Sequence, residues 1–284
     1  MRFAITGIDR SLGVLDTLLE AGWEPVKLFT VPVDDYHEHN TNIVNKASEL
    51  KIPVQLSRLE EPDLRQLEML GCDVLVIVSY NWKIGEWSRY LPYAVNFHPS
   101  LLPEGRGPYP MIQAILRDEP NWGVTCHKVS PQFDSGDILA QQAFPLSHDE
   151  SHESINLKIQ MASQRLAARV AGNFKALWSG AQAQPDGSYW KMPSDVERTI
   201  DFGASVETIL RQVRAFGLFE CKAHVNGTAI FVRRAVGWTE VHHYSAGTVV
   251  YVQQRSMVIA VRDGFISLIE WSSIQPGGQR HVGR

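Results

Sequence analysis

Asn96 and His98 stand two residues apart in NFHPSLLPEGRGPYP (residues 96–110), and a later loop, FDSGD, carries Asp134. A histidine can donate or accept a proton near neutral pH, an asparagine amide donates hydrogen bonds without titrating, and a carboxylate can orient both. On an extended strand, residues two apart point to the same side, so Asn96 and His98 share a face. Two strand ends meeting at one crevice would bring Asp134 to them. With no nucleophilic Ser or Cys in the set, the chemistry it suits is direct transfer of an acyl group between two substrates. Such a transfer passes through a tetrahedral intermediate whose oxyanion needs hydrogen-bond donors. A plainer reading stays open on these letters alone, because N-x-H-P and D-S-G-D both have the composition of turns.

The elements that must position these residues follow from pattern. Four prolines and two glycines behind Asn96 rule out a helix over 96–110, so the pair is carried into a rigid, irregular loop. The first half of the chain alternates short apolar runs with helical periodicity, which predicts a doubly wound, mostly parallel α/β sheet. MRFAITG, EPVKLFTVP, PVQLS and CDVLVIVSY read as strands, the last as a centrally buried parallel one. SLGVLDTLLEAG, NTNIVNKASELKI and EPDLRQLEMLG read as helices between them. YAVNFHPS is a further strand whose carboxyl end is the Asn-x-His motif, and ligands bind at the carboxyl ends of strands in open α/β sheets. YPMIQAILRD then reads as a helix, and WGVTCHKVS and DILAQQAFPL as a strand pair joined by PQFDSG. A long amphipathic helix follows, with a break at Gly172. AQAQPDGSYWKMPSDVERTIDFG has little periodicity and reads as a surface linker. One more helix, SVETILRQVRAFG, precedes short alternating strands punctuated by NG, AG and DG, the pattern of a small antiparallel β barrel of the OB type. The expected organisation is a catalytic unit over 1–180, a linker over 181–203 and a small β domain over 204–284.

The chain has 284 residues, 44% of them hydrophobic and 20% charged, which is globular rather than disordered. Its formal net charge of -4 offers no overall attraction for nucleic acid. No stretch of ~18 apolar residues is present to span a membrane, and the amino-terminal run lacks an apolar leader core. Cys72, Cys126 and Cys221 are odd in number and widely spaced, which fits reduced thiols in the cytoplasm better than disulfides or zinc. No metal is expected: His242 and His243 have no Cys or carboxylate partners at ligand spacing. Arg10 and Ser11, in the first turn at a helix amino terminus, could meet a phosphate or carboxylate of a substrate, or could form a simple cap with a solvated Arg. His37 and His39 could line the same side or be solvated loop residues.

NFHPSLLPEGRGPYP followed by VSPQFDSGDILAQ resembles the folate-dependent formyltransferase family, marked by Asn-x-His-Pro-Ser-Leu-Leu-Pro and a later Asp-x-Gly-(Asp)-Ile loop. RFAITGIDRSLGVLDTLLEAGWEPVKLFT and TIDFGASVETILRQVRAFG resemble the amino-terminal strand and helix and the start of the carboxy-terminal domain of its methionyl-tRNA and sugar formyltransferase branch. The resemblance implies that N10-formyltetrahydrofolate, as cosubstrate, donates a formyl group to a primary amine. It implies that His98 donates to the developing oxyanion, that Asn96 holds the formyl oxygen, and that Asp134 orients His98 and helps move the amine's proton. The pterin would lie between residues 79–84 and the Asp134 loop, against Tyr80, Asn81, Trp82, Ile84, Leu102, Gln132, Phe133 and Asp137. For Tyr80, Trp82 and Phe133 ordinary packing is the plainer reading. Ser100 to Pro103 would form a rigid wall, Ser100 and Arg106 would meet the acceptor, and Arg106 with Gly107 would anchor the next helix.

Within that resemblance the acceptor is a separate question. The glycinamide ribonucleotide branch begins with a Gly-Ser-Asn phosphate loop where this chain has TGIDRSLG, and the hydrolases carry a regulatory domain ahead of the catalytic one. The tRNA branch has a basic, Gly-rich loop after the second strand, as an acceptor stem requires. Here that loop is TVPVDDYHEHNTN, with Asp34, Asp35 and Glu38 and no Lys or Arg. YWKMPSDVERTIDF is similar to the YxKR-P-x-D linker of sugar formyltransferases. The expected acceptor is therefore a small-molecule amine, an amino sugar on a nucleotide, rather than nucleic acid or a membrane component. Methionyl-tRNA, an amino-acid-type amine such as hydroxyornithine, and a folate-binding protein without catalysis are the alternatives. By analogy with sugar-modifying members, the carboxy-terminal domain is a place for homodimer contact.

Overall fold

A computed structural model describes residues 1–253 and 256–273; the end of the expected β domain, 274–284, and residues 254–255 lie outside the described residues. Alternating strands and helices build the first sheet: β1 (Arg2–Thr6), α1 (Leu12–Glu20), β2 (Glu24–Phe29), α2 (Thr41–Glu49), β3 (Val54–Gln55), α3 (Glu61–Met69), β4 (Val74–Ile77) and β5 (Tyr93–His98). After α4 (Pro110–Leu116), β6 (Asn121–Lys128) and β7 (Ile138–Pro145) return antiparallel, and α5 (His152–Ser179) crosses back. The strand order is β3-β2-β1-β4-β5-β6-β7, parallel from β3 to β5.

Period-two alternation sorts the side chains. Phe3 and Ile5 of β1, with Val74, Val76, Val95 and Phe97, face α1 and α5 through Val14, Leu15, Leu18, Leu166 and Val170. Ala4, Leu75, Ile77 and Ala94 face the opposite side, where α3 supplies Leu64 and Leu67. Because β1 leads outward to β2 and β3 while β4 lies on its other flank, the connections diverge between β1 and β4. In open α/β sheets such a divergence leaves a crevice at the strands' carboxyl ends. The expected break in α5 falls one residue later than Gly172: Asn173 has φ -137° and ψ 27°.

A second sheet follows: α6 (Asp195–Arg198), α7 (Val206–Phe216), then β8 (Cys221–Val225), β9 (Thr228–Thr239), β10 (Val249–Gln253), β11 (Ser256–Val261) and β12 (Gly264–Ser272). All its pairings are antiparallel, in the order β10-β11-β12-β9-β8. Asn226 and Gly227 both adopt positive φ, 49° and 79°, the tight hairpin geometry the NG pair calls for. Among the described residues this ladder has β10 and β8 as its edges, so closure into a barrel is not part of the pairing seen. The two sheets share a core in which Met111, Ile112 and Ile115 of α4 pack with Ile209, Val213 and Phe216 of α7.

The segment after α5 departs from a surface linker. It pairs with the catalytic unit at Gln182 and Tyr189 and with β8 at Thr199, and it buries Trp190 and Ile200. Trp190 stacks on Trp122 at 5.4 Å. Isolated apolar residues among turn formers carry no periodicity, which is why pattern alone reads this stretch as solvated. Among the described residues no helix is long and apolar enough to cross a membrane.

Candidate active site

Asn96 and His98 leave β5 on the face that carries α3, the side of their neighbour Ala94, because Val95 and Phe97 are taken by α5. The turn between β6 and β7 brings Asp134 to the pair. Asp134 Oδ1 accepts a hydrogen bond from Asn96 Nδ2 at 3.2 Å and lies 3.3 Å from His98 Nδ1. Its other oxygen accepts from the Gly107 N–H at 2.9 Å. His98 Nε2 lies 2.8 Å from the Gly105 carbonyl, which can only accept, so Nε2 carries a proton and Nδ1 is the atom left facing Asp134. Asp134 has φ 54°, a left-handed conformation that costs about 1 kcal/mol and persists where surrounding bonds hold it. Gly136 makes the turn possible: a Cβ there would lie 1.9 Å from the Lys128 carbonyl.

The electrostatics follow from burial and pairing. Burial favours the neutral Asp134 acid, but the His98 and His127 rings and the Gly107 N–H outweigh it and hold the carboxyl down to about 2. Burial pushes His98 below its ordinary value against the attraction of Asp134 and the Gly105 carbonyl. The site therefore rests as an ionised carboxylate beside an imidazole whose Nδ1 can take up a proton.

One member of the cluster is absent from the sequence reading. His127 of β6 lies directly across from Asn96 in the ladder. Its Nδ1 donates to the Lys128 carbonyl at 2.8 Å, so Nε2 is an acceptor, and Asn96 Nδ2 reaches it at 3.1 Å. Both N–H groups of Asn96 are thereby used, one on His127 and one on Asp134, which fixes the orientation of the amide. The sequence signal for His127 is one histidine beside a cysteine in the run GVTCH, and pairing it with Asn96 requires knowing that β6 runs antiparallel to β5.

The residues expected around the pterin lie on three segments: the loop after β4, the loop after β5 and the turn between β6 and β7. Tyr80 and Ile84, after β4, pack on the α3-side cluster together with Val129 at the start of the Asp134 loop. The Tyr80 hydroxyl accepts the Leu59 N–H, and its ring meets Trp82 edge-on at 5.2 Å. Asn81 and Gln132 are exposed, and Leu102 is buried. Phe133 is 56% exposed, so packing does not account for it. Asp137 pairs with Lys128 Nζ at 3.0 Å.

Three residues expected on the acceptor are placed otherwise. Ser11 is fully buried, its hydroxyl accepting the Ile8 N–H, so it caps the turn rather than meeting a ligand. Ser100 is also fully buried and donates to the Glu104 carbonyl, stiffening the proline-rich loop. The Arg106 guanidinium lies on Gln184 and Pro185 of the segment after α5, not on α4. Arg10 does span the crevice between β1 and β4: Nε donates to Ser79 Oγ at 3.1 Å and Nη2 to Glu38 Oε1 at 3.0 Å. Tyr109 Oη also donates to Glu38, at 3.2 Å. His37 stacks on Phe219 at 5.0 Å with Nε2 on the Leu218 carbonyl, joining the loop after β2 to the second sheet's unit. His39 lies 3.8 Å from Asp35 at the surface, and His242 Nε2 bonds the Val261 and Gly264 carbonyls. Among the described residues no group of three or more His, Cys, Asp or Glu is placed to hold a metal ion.

Comparison with known proteins follows this geometry. A model described as formyl transferase matches residues 27–171, and one described as formyl transferase, C-terminal domain, matches 194–282. A methionyl-tRNA formyltransferase of Anaplasma marginale is 30% identical over 192 residues, 66% of this chain and 60% of that relative, so the match spans well under two thirds of the relative's length. Among solved structures, the N-formyltransferase from Helicobacter canadensis in complex with folinic acid and dTDP-3-aminofucose superposes with a TM-score of 0.69. It is 16% identical and covers 95% of this chain and 99% of its own. HypX from Aquifex aeolicus in complex with tetrahydrofolic acid gives a TM-score of 0.66 at 20% identity, covering 94% of this chain and 43% of its own.

Proposed function

The chain belongs to the formyl transferase family, and from that premise we propose that it transfers a formyl group from N10-formyltetrahydrofolate to the primary amine of a small molecule, a nucleotide-linked amino sugar. The observation that carries the chemistry is the convergence of Asn96 Nδ2 and His98 Nδ1 on one oxygen of Asp134, at 3.2 and 3.3 Å. The amine attacks the formyl carbon with its lone pair, so it must first be uncharged. As the new C–N bond forms, negative charge grows on the formyl oxygen. Asn96 turns one N–H from Asp134 toward that oxygen, and His98 supplies the second donor once its Nδ1 has taken up the proton of the attacking nitrogen. The proton from the attacking nitrogen passes to the His98–Asp134 pair. The pair returns it to N10 of the folate as the C–N10 bond breaks, leaving tetrahydrofolate and the formamide.

Tyr80, Asn81, Trp82, Ile84, Leu102, Gln132, Phe133 and Asp137 are the proposed walls of the donor site. Exposure of the Phe133 ring beside the catalytic carboxylate supports this, since an apolar face there suits a flat pterin. The crevice between β1 and β4, with Arg10, Glu38 and Tyr109, is the proposed acceptor side. A small acceptor is supported by the acidic loop after β2, where Asp34 accepts the N–H groups of Tyr36, His37 and Glu38 and presents no cation to a phosphate backbone.

Methionyl-tRNA is the second reading, favoured by the name of the Anaplasma relative. Incubation with N10-formyltetrahydrofolate and a panel of nucleotide amino sugars, amino acids and methionyl-tRNA, followed by mass spectrometry for one added formyl group, separates the two. Product on a nucleotide amino sugar is the expected result. Product on methionyl-tRNA alone, with steeply salt-dependent tRNA binding, would replace it by the second reading. No product on any amine would leave a folate-binding protein.

A further inference from the structure

Gln184 lies in the aperiodic segment after α5, yet its side chain amide makes four hydrogen bonds, the full capacity of the group. Nε2 donates to the Asp134 carbonyl at 2.9 Å and to the Gly136 carbonyl at 2.7 Å. Oε1 accepts Arg106 Nε at 3.1 Å and Arg106 Nη2 at 2.8 Å. With donors against carbonyls and the acceptor against a guanidinium, the amide has one possible orientation. The two carbonyls it gathers belong to the residues on either side of Ser135, in the turn where Asp134 holds φ 54°. Arg106 sits between Gly105, whose carbonyl accepts from His98 Nε2, and Gly107, whose N–H donates to Asp134 Oδ2.

A closed circuit results, running from His98 to Gly105, through Arg106 to Gln184, on to the Asp134 loop, and from Asp134 back to His98. The segment that holds Gln184 is itself pinned at both ends, by Gln182 on Ile138 and by Ser188 and Trp190 on residues 105–106. Bonds that close a circuit restrain one another, because no member can move without stretching its neighbours.

We propose that Gln184, acting with Arg106, is a positioning residue for Asp134: it fixes the left-handed turn that aims the carboxylate at His98 and Asn96. The proposal rests on the formyl-transfer reading only for its kinetic test. It gives Arg106 a role in holding the site instead of contacting the acceptor. Neither side chain touches the reacting atoms. Both act by setting where Asp134 Oδ1 stands, and a displacement of about 1 Å at such a group can cost on the order of a hundredfold in rate.

The test uses the full chain with Gln184→Leu, which keeps part of the side chain's bulk and loses all four bonds, and Arg106→Lys, which keeps the charge and loses the fork. Gln184→Leu is expected to lower kcat by about tenfold to a hundredfold, with KM for donor and acceptor changed by less than about threefold. Arg106→Lys should show the same pattern more weakly. Nuclear magnetic resonance titration of His98 gives a second readout that requires no turnover. With Asp134 released, the imidazolium loses its nearest anion, and His98 should titrate at lower pH than in the unmodified protein. Unchanged kcat and unchanged His98 titration in both variants would overturn the proposal. So would a raised acceptor KM at constant kcat in Arg106→Lys, which would return Arg106 to the substrate. If Gln184→Leu fails to fold, Arg106→Lys and Gln184→Glu, which turns an oxygen toward the two carbonyls, carry the same two measurements. Should the unmodified protein transfer no formyl group, the functional reading falls while the His98 titration still decides the clamp.

Discussion

Asp134 Oδ1 is the point on which an amide N–H and an imidazole nitrogen both converge, so removing any one of the three groups removes a different part of the same event. Asn96→Ala and His98→Ala should each lower kcat/KM by about a hundredfold to a thousandfold, the usual cost of losing an oxyanion donor. Circular dichroism should show their fold unchanged; either variant at full activity would sink the mechanism. Rate should fall toward acid, because the acceptor must shed its proton and His98, pushed down by burial, gains one only at low pH. A profile flat from about pH 5 to about pH 9 would contradict these roles. Asp134 also leaves a mark on stability. Its carboxyl is held at about 2, below the ordinary 3.8, so it favours the folded state above about pH 4 and loses that advantage as pH falls toward 2. The difference corresponds to about 2 kcal/mol. Asp134→Asn should remove this dependence, read as a smaller change in urea midpoint between neutral and acid pH than the unmodified protein shows.

The β6–β7 turn delivers Asp134 only because its backbone can fold against β6. A methyl at Gly136 would meet the Lys128 carbonyl at 1.9 Å, and backbone on both sides cannot yield as a flexible side chain would. Gly136→Ala should cost roughly 1 to 3 kcal/mol of stability and also lower kcat, since relief of the clash moves Asp134. Gly227 offers the contrast: its φ is 79° and nothing lies within 4 Å of where a Cβ would stand. Gly227→Ala should cost only the conformational penalty, about 1 kcal/mol, and leave kcat alone. Thermal melts and initial rates on the two variants distinguish a turn that serves the site from one that only closes a hairpin. An equal loss of kcat in both would remove the distinction.

Across the whole molecule, the two sheets are joined where Phe219 receives three rings: His37 stacked at 5.0 Å, Tyr109 edge-on at 5.2 Å and His152 edge-on at 5.3 Å. His152 is 7% exposed, and burial lowers its imidazole from 6.5 to about 4. The folded state therefore refuses a proton that the unfolded chain accepts. Stability contributed at this seam is complete above about pH 6.5 and declines as pH falls to about 4, by roughly 3 kcal/mol. His152→Gln should flatten the denaturation midpoint over that range. A slope equal to that of the unmodified protein would place the acid sensitivity elsewhere.

By itself the sequence determined most of the elements and the chemistry open to them. VLVI announces a strand buried on both faces, NG announces its hairpin, and Asn96, His98 and Asp134 announce a donor, an acid/base and an orienting carboxylate. These are local properties, set by backbone sterics and side chain type, and they survive without knowledge of neighbours. Tertiary structure decided which groups meet. His127 reaches Asn96 because β6 runs antiparallel beside β5, and Ser11 and Ser100 are closed off by burial that no spacing reveals. Gln184 reaches the Asp134 turn from a segment with no periodicity at all. Contacts between residues distant in the chain depend on loop paths and strand order, and a one-dimensional pattern contains neither.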